Sequence, residues 1–182
     1  MSDFFIPFFT IALAEMLDKS QLVILLLAGR YKSHTSLFAG ITTAFILLSA
    51  LAVLTGSFIA SLIPQSVLQI LAGLLFILFG VLSFRSDSDK QKVKTTQRNA
   101  FITGFSLIFL AEIGDKTQLA TTLFATQYNP WFVFLGAVLA LSLLALLAIK
   151  IGGLLAKKLD KNLLQKIAGV VFTLLGLGFI LF

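Results

Sequence analysis

Six stretches of about twenty mostly apolar residues dominate this chain, and few folds can accommodate them. They run roughly Phe4–Ala28, Leu37–Ala60, Val67–Phe84, Ala100–Thr126, Trp131–Ile149 and Leu163–Phe182. A helix that crosses a bilayer needs about 20 such residues. Charged residues make up 12% of the chain, about half the share of a soluble domain, so a solvated surface cannot be built from them. Strict apolar–polar alternation, the mark of a membrane β-strand, is absent. The pattern predicts an all-α membrane protein with six transmembrane helices and no soluble domain. With no Cys, a disulfide scaffold and a thiolate metal site are excluded. With His34 as the single His, so is a multi-His site. The first span has no basic leader and carries Glu15, Asp18 and Lys19 near its centre, so a cleaved signal peptide is not expected.

The net charge of +6 is not the footprint of a nucleic-acid partner, because the basic residues are placed to orient the spans. Lys19 and Lys116 lie inside spans. The other twelve, Arg30, Lys32, Arg85, Lys90, Lys92, Lys94, Arg98, Lys150, Lys157, Lys158, Lys161 and Lys166, fall in or beside connections 1–2, 3–4 and 5–6. The connections around Pro64 and around Asn129-Pro130 have none. Lys and Arg collect on the cytoplasmic side. Those three basic connections are therefore expected in the cytoplasm and both termini outside, with His34 solvated and idle in the first of them.

The chain also repeats itself. Residues 14–22 read AEMLDKSQL and residues 111–119 read AEIGDKTQL, an offset of 97. At an offset of 96, Phe38, Gly40, Ala44, Leu47, Leu48, Leu51, Ala52, Gly56 and Ala60 meet the same residue types through the fifth span and just beyond it. Leu68, Gln69, Ala72, Gly73, Phe76, Leu78 and Gly80 do so in the sixth. Leu and Ala match by chance in apolar helices, but paired glycines and a shared acidic motif do not. Each copy holds three spans, an odd number, so the second must enter the membrane from the opposite side. The expected organisation is an inverted-topology repeat: residues 1–84, a polar cytoplasmic linker at 85–99, and residues 100–182. Many secondary transporters are built this way. The matched glycines are expected to let helices pack closely.

Glu15, Asp18, Glu112 and Asp115 are four of the eight acidic residues, each near the middle of its span. A charge at that depth costs at least about 2.5–3.5 kcal/mol on insertion scales, so four at matching places imply an offsetting benefit. On a continuous helix Glu15 and Asp18 lie about 60° apart, with Lys19 in reach of Glu15. Glu112, Asp115 and Lys116 repeat the arrangement. Gln21 and Gln118 lie about 60° beyond the aspartates, whereas Ser20 and Thr117 point about 140° from the glutamates and join them only if the helix unwinds. An intramembrane Glu–Lys salt bridge would explain one such motif but not its recurrence in both halves. If the faces meet, four carboxylates and two ammonium groups sum to −2, which a divalent cation or two protons would cancel. All-oxygen ligands favour hard cations such as Mg²⁺, Ca²⁺ or Mn²⁺.

Two copies of Glu-x-Gly-Asp-(Lys/Arg)-(Thr/Ser), each opening a three-span half, resemble the Gdt family of divalent cation/proton antiporters over essentially the whole chain. Its eukaryotic members act in Golgi and chloroplast membranes, and its bacterial members resemble manganese exporters. The resemblance implies metal ligands at Glu15, Asp18, Glu112 and Asp115, with Lys19, Ser20, Lys116 and Thr117 as motif companions and Gln21 and Gln118 beside them. Leu17 departs from the family's Gly, which Gly114 keeps, so the second half is expected to unwind or pack more tightly than the first.

The reading is a transporter, not an enzyme, in the bacterial inner membrane, exporting Mn²⁺ in exchange for protons, with no prosthetic group. Its partners are the divalent ion and the lipid bilayer; a homo-oligomer is compatible with it. A Ca²⁺/proton antiporter and a passive divalent cation channel are the alternatives, and a non-transporting scaffold is a third. An amino-acid exporter would call for a mixed site, not an acid-rich one. Without an ATP-binding motif, coupling is expected from an ion gradient. A cysteine at Ser36 or Ser86 should react with impermeant reagents only from the cytoplasmic side, and one at Gln65 or Asn129 only from outside. External labelling at Ser86 would sink the inverted repeat.

Overall fold

The computed structural model describes residues 1–16, 18–29, 31–85 and 99–151, together with 166, 170, 173–178 and 180 of the last span. Leu17, the linker residues 86–98 and most of the sixth stretch lie outside the described residues. The described residues are mostly helical, with no strand among them. In order they form α1 (Ser2–Glu15), α2 (Lys19–Ala28), α3 (His34–Leu62), α4 (Gln65–Arg85), α5 (Ala100–Glu112), α6 (Lys116–Gln127) and α7 (Pro130–Ile151). Helical residues recur at 166, 170, 173–178 and 180.

Among the described residues, two helices are long and apolar enough to cross a membrane: α3, and α7 over Pro130–Lys150. The first and fourth apolar stretches are not continuous helices, which corrects the face angles expected above. Each is interrupted at its acidic motif, leaving α1, α2, α5 and α6 at 14, 10, 13 and 12 residues. At about 1.5 Å per residue, none of these alone reaches across a core of about 30 Å. In the second motif the physical reason is Gly114, whose φ of +76° lies in the left-handed region. There a Cβ is strained and an α-helix cannot propagate. The N–H of Gly114, lost to the helix ladder, is donated to Gln118 Oε1 at 2.6 Å. The same turn closes both interruptions: Asp18 N–H donates to the Glu15 carbonyl, and Asp115 N–H to the Glu112 carbonyl.

The long helices pair with the broken ones crosswise. α3 packs mainly on α5 and α6, α7 mainly on α1 with a further contact to α2, and α3 and α7 meet each other. Their burial registers coincide at the offset of 96. Leu37, Ile41, Ala44, Phe45, Leu48, Ser49 and Val53 are buried, and so are Val133, Ala137, Ala140, Leu141, Leu144, Ala145 and Ile149. Leu47 and Leu51 face outward, as do Leu143 and Leu147. The outward face of α3 continues through Leu54, Phe58 and Leu62, and that of α7 carries Trp131, Leu135 and Leu139. Apolar stripes of this extent are not left against water. α4 joins through Phe76 against Phe124 of α6, ring centroids 4.9 Å apart.

The matched glycines sit where backbones touch. A Cβ on Gly40 would strike the Phe101 carbonyl of α5, and one on Gly136 would lie 2.9 Å from the Phe4 carbonyl of α1. Gly40 and Gly136 are repeat partners, as are Phe4 and Phe101. The expectation of close packing therefore holds at these two positions. At Gly114 a Cβ would meet nothing within 4 Å, so that glycine serves the backbone turn and not a close approach.

Gly40→Ala should lower the midpoint of thermal unfolding in detergent, because overpacking against backbone costs about 1–3 kcal/mol. Gly178→Ala, whose Cβ enters open space, is the control and should not. Gly114→Ala should also destabilise, by about 1–2 kcal/mol, through backbone strain alone. Equal midpoints for Gly40→Ala and Gly178→Ala would show that the helix approach at Gly40 is loose.

Candidate metal centre

The two interruptions lie face to face at mid-bundle and bring the acids together. One carboxylate oxygen from each of Glu15, Glu112 and Asp115 lies within 4.8 Å of the others. Glu15 is fully buried at the end of α1 and Glu112 is buried at the end of α5, while Asp115 opens α6 half-buried. Thus two acids come from the second motif and one from the first.

Around them the polar partners are shared between motifs. The Ser20 hydroxyl donates to Glu15 Oε2 at 3.0 Å and also stands against Glu112. The Thr117 hydroxyl, from the other motif, donates to Glu15 Oε1. Ser20 and Thr117 are both buried. The unwinding at each motif is what turns them toward the acids, the condition under which they were expected to contribute.

Asp18 stands apart from the three-acid group. Its Oδ2 is 2.7 Å from Lys116 Nζ, both side chains partly exposed. The expected pairing of Lys116 with Glu112 along one helix is therefore replaced by an ion pair between motifs. The physical reason is again the interruption, which removes the i,i+4 geometry between positions 112 and 116. The side chain of Lys19 lies outside the described residues, and so does the pairing expected for it. Gln21 is buried, and its Nε2 has no hydrogen-bond partner among the described residues; the same is true of Asp115 Oδ2. Gln118 is committed to the Gly114 turn. His34 is exposed at the start of α3, yet its Nε2 stands 3.0 Å from the Ala28 carbonyl at the end of α2. It fastens a helix end and is not idle.

Three ionised carboxylates at this spacing repel one another. At an effective dielectric constant of about 20, each pair contributes roughly 3 kcal/mol. Hydroxyl donors from Ser20 and Thr117 soften this without cancelling it. A bare carboxylate oxygen on Asp115 beside two buried glutamates is an arrangement that positive charge completes, and hard cations are bound by such oxygens.

A small cleft of about 20 Å³ opens beside Glu112 between α3, α6 and α7. Ser49 and Thr121 line it. No spacing argument singled these two out; only the packing of α3 on α6 places them next to the acids.

The model of the family described as divalent cation/proton antiporter GDT1 matches residues 3–91 and 100–181. The chain is 33% identical over 181 residues to a Vibrio cholerae protein named as a candidate manganese exporter, covering 98% of this chain and 90% of that one. It is 30% identical over 205 residues to GDT1-like protein 5 of Oryza sativa, covering 91% and 88%. A GDT1-like protein of Synechocystis is 28% identical over 186 residues, covering 90% and 89%. No solved structure matches the chain. With nearly the whole chain inside the family match and both acidic motifs within it, the chain belongs to the GDT1 family of divalent cation/proton antiporters.

Proposed function

We propose that this protein exports Mn²⁺ from the cytoplasm in exchange for protons, across a bacterial inner membrane. The observation that carries the reading is the meeting of Glu15, Glu112 and Asp115 oxygens within 4.8 Å in the interior of an apolar bundle. We assign the metal to these three, with Asp18 as the fourth acid of the site, held by Lys116. Ser20 and Thr117 orient Glu15, Gln118 holds the Gly114 turn, and Gln21, one of the two glutamines that follow the motifs, has an amide nitrogen without a partner among the described residues. Lys19 is the counterpart of Lys116 in the sequence repeat.

The charge arithmetic favours exchange. Three carboxylates carry −3, and the Asp18–Lys116 pair carries none. One divalent ion plus one proton brings the cluster to zero, and so do three protons. Metal and two protons then compete for the same oxygens, an electroneutral swap that draws on a proton gradient. Manganese is chosen over calcium because the Vibrio relative is named for manganese; the donor set accepts either ion.

The architecture proposed is six spans in two inverted repeats, 1–84 and 100–182, joined by a cytoplasmic linker at 85–99, with both termini outside. Three things support it: the crosswise packing of long on broken helices, the coincident burial of α3 and α7 at one offset, and the one-sided distribution of Lys and Arg. Broken helices meeting at a midplane site are the build of many secondary transporters.

Reconstituted vesicles loaded with a panel of divalent ions provide the test. Mn²⁺ flux should require a proton gradient, and Glu15→Gln, Glu112→Gln and Asp115→Asn should each lower it on the order of a hundredfold, the loss of one charge contact of roughly 3 kcal/mol. Folding should survive, since a neutral amide is easier to bury than a carboxylate. Asp18→Asn should also impair flux, by releasing Lys116 beside the cluster. Wild-type flux in two of the three cluster variants would place the site elsewhere, and flux indifferent to the proton gradient would favour the channel.

A further inference from the structure

We infer that the cleft between α3, α6 and α7 is the outer half of the ion path, and that Ser49 and Thr121 are its cation-conducting residues. This rests on the reading of the acid cluster as a metal site. The cleft begins at Glu112 and Thr117 and is lined onward by Gln118, Ser49, Thr121 and Ala52. Along both α3 and α6 that direction leads away from the basic connections, toward Leu62 and Gln127, where the flanking loops have no Lys or Arg. By the orientation proposed above, that is outward.

The two broken spans differ most just here. After Gln21, α2 continues as Leu22–Ala28 with no polar side chain, whereas after Gln118, α6 carries Thr121, Thr122, Thr126 and Gln127. Repeat symmetry alone would have made these segments alike. The threonine hydroxyls are also committed in a definite sense. Thr121 Oγ1 donates to the Thr117 carbonyl at 2.8 Å, and Thr117 Oγ1 donates to Glu15. A hydroxyl has one hydrogen and two lone pairs, so what Thr121 retains for the cleft is acceptor capacity, suited to a cation and not to an anion. Back-bonding by itself is ordinary in apolar helices; Thr43 and Thr55 do the same away from the cleft. What distinguishes Thr121 is that it lines a cleft ending at a buried carboxylate. Neutral oxygens hold a hard cation weakly, as transit requires: favourable enough to enter, weak enough to leave. Beyond the cleft, Gly56 of α3 lies against the Thr122 carbonyl of α6.

The chain has no cysteine, so single-cysteine variants are clean probes. In cycling vesicles, Thr121→Cys should react with a cationic impermeant thiol reagent added at the outer face and lose Mn²⁺ flux, while an anionic reagent of the same size reacts far more slowly. Thr121→Val should slow Mn²⁺ flux about fivefold, the worth of one polar contact, with the equilibrium affinity for Mn²⁺ unchanged; Thr121→Ser should transport normally. Ser49→Ala provides an independent variant and should slow flux likewise. Wild-type flux in both Thr121→Val and Ser49→Ala, or a Thr121→Cys side chain reactive only from the cytoplasmic face, overturns the path while leaving the acid site standing. If wild-type vesicles move no divalent cation, the acid-site reading falls and the path falls with it.

Discussion

The rest of the structure follows from gathering three carboxylates, two of them buried, in the middle of an apolar bundle. Each carries an insertion cost of about 2.5–3.5 kcal/mol, and each pair adds a repulsion of similar size. Nothing in an uninterrupted helix offsets that, because its backbone polar groups are all spent on one another. Interrupting the helix changes the local chemistry. The break after Glu15 and the break after Glu112 turn hydroxyls toward the acids and let Lys116 reach across to Asp18. What these contacts leave uncompensated is a set of carboxylate oxygens, to which the proposed function assigns a divalent cation or protons.

Because the contacts run between the two motifs, they also tie the halves together. Glu15 takes one hydroxyl from its own motif and one from the other. The helices that carry the motifs are in turn held by the opposite half's long helix, α3 on α5 and α6, α7 on α1 and α2. Glycine is needed for this at Gly40 and Gly136, where a methyl group would collide with a backbone carbonyl of the partner. The interlock is symmetric, but the surroundings of the site are not. Threonines follow the motif in α6 where α2 has only apolar side chains, so the two sides of the site are unequally polar.

How much of this the sequence revealed depended on whether the information was local. The helical character, the apolar faces of α3 and α7 and the close-packing glycines follow from composition and from an offset of 96 residues. The acidic motif was equally legible, since four charges in apolar spans demand a reason. The interruptions were harder. Gly114 hinted at one, because glycine tolerates a positive φ, but the first motif has Leu17 at that place and no hint. Angles drawn on an unbroken helix therefore put Ser20 and Thr117 on the wrong side. The Lys116–Asp18 pair was out of reach of any periodicity argument, which relates residues on one helix only. The same holds for Ser49, whose neighbourhood with Glu112 exists only once α3 lies against α5 and α6.

The cross-motif contacts also suggest why exchange would be tighter than leak in the proposed cycle. A ligand shifts a conformational equilibrium only through its differential affinity for the two states. Rocking one half against the other would strain Thr117–Glu15 and Lys116–Asp18, which span the halves, and spare Ser20–Glu15, which does not. An empty, ionised cluster has repulsion between Glu15 on one side and Glu112 and Asp115 on the other, and its closed arrangement is disfavoured. A divalent ion bridging the same oxygens reverses the sign of that interaction, and so does protonation. Passage through the closed arrangement is then available to the loaded forms and denied to the empty one. On that account the three carboxylates both bind the substrate and couple its movement to that of protons, and no second site is needed to link the two fluxes.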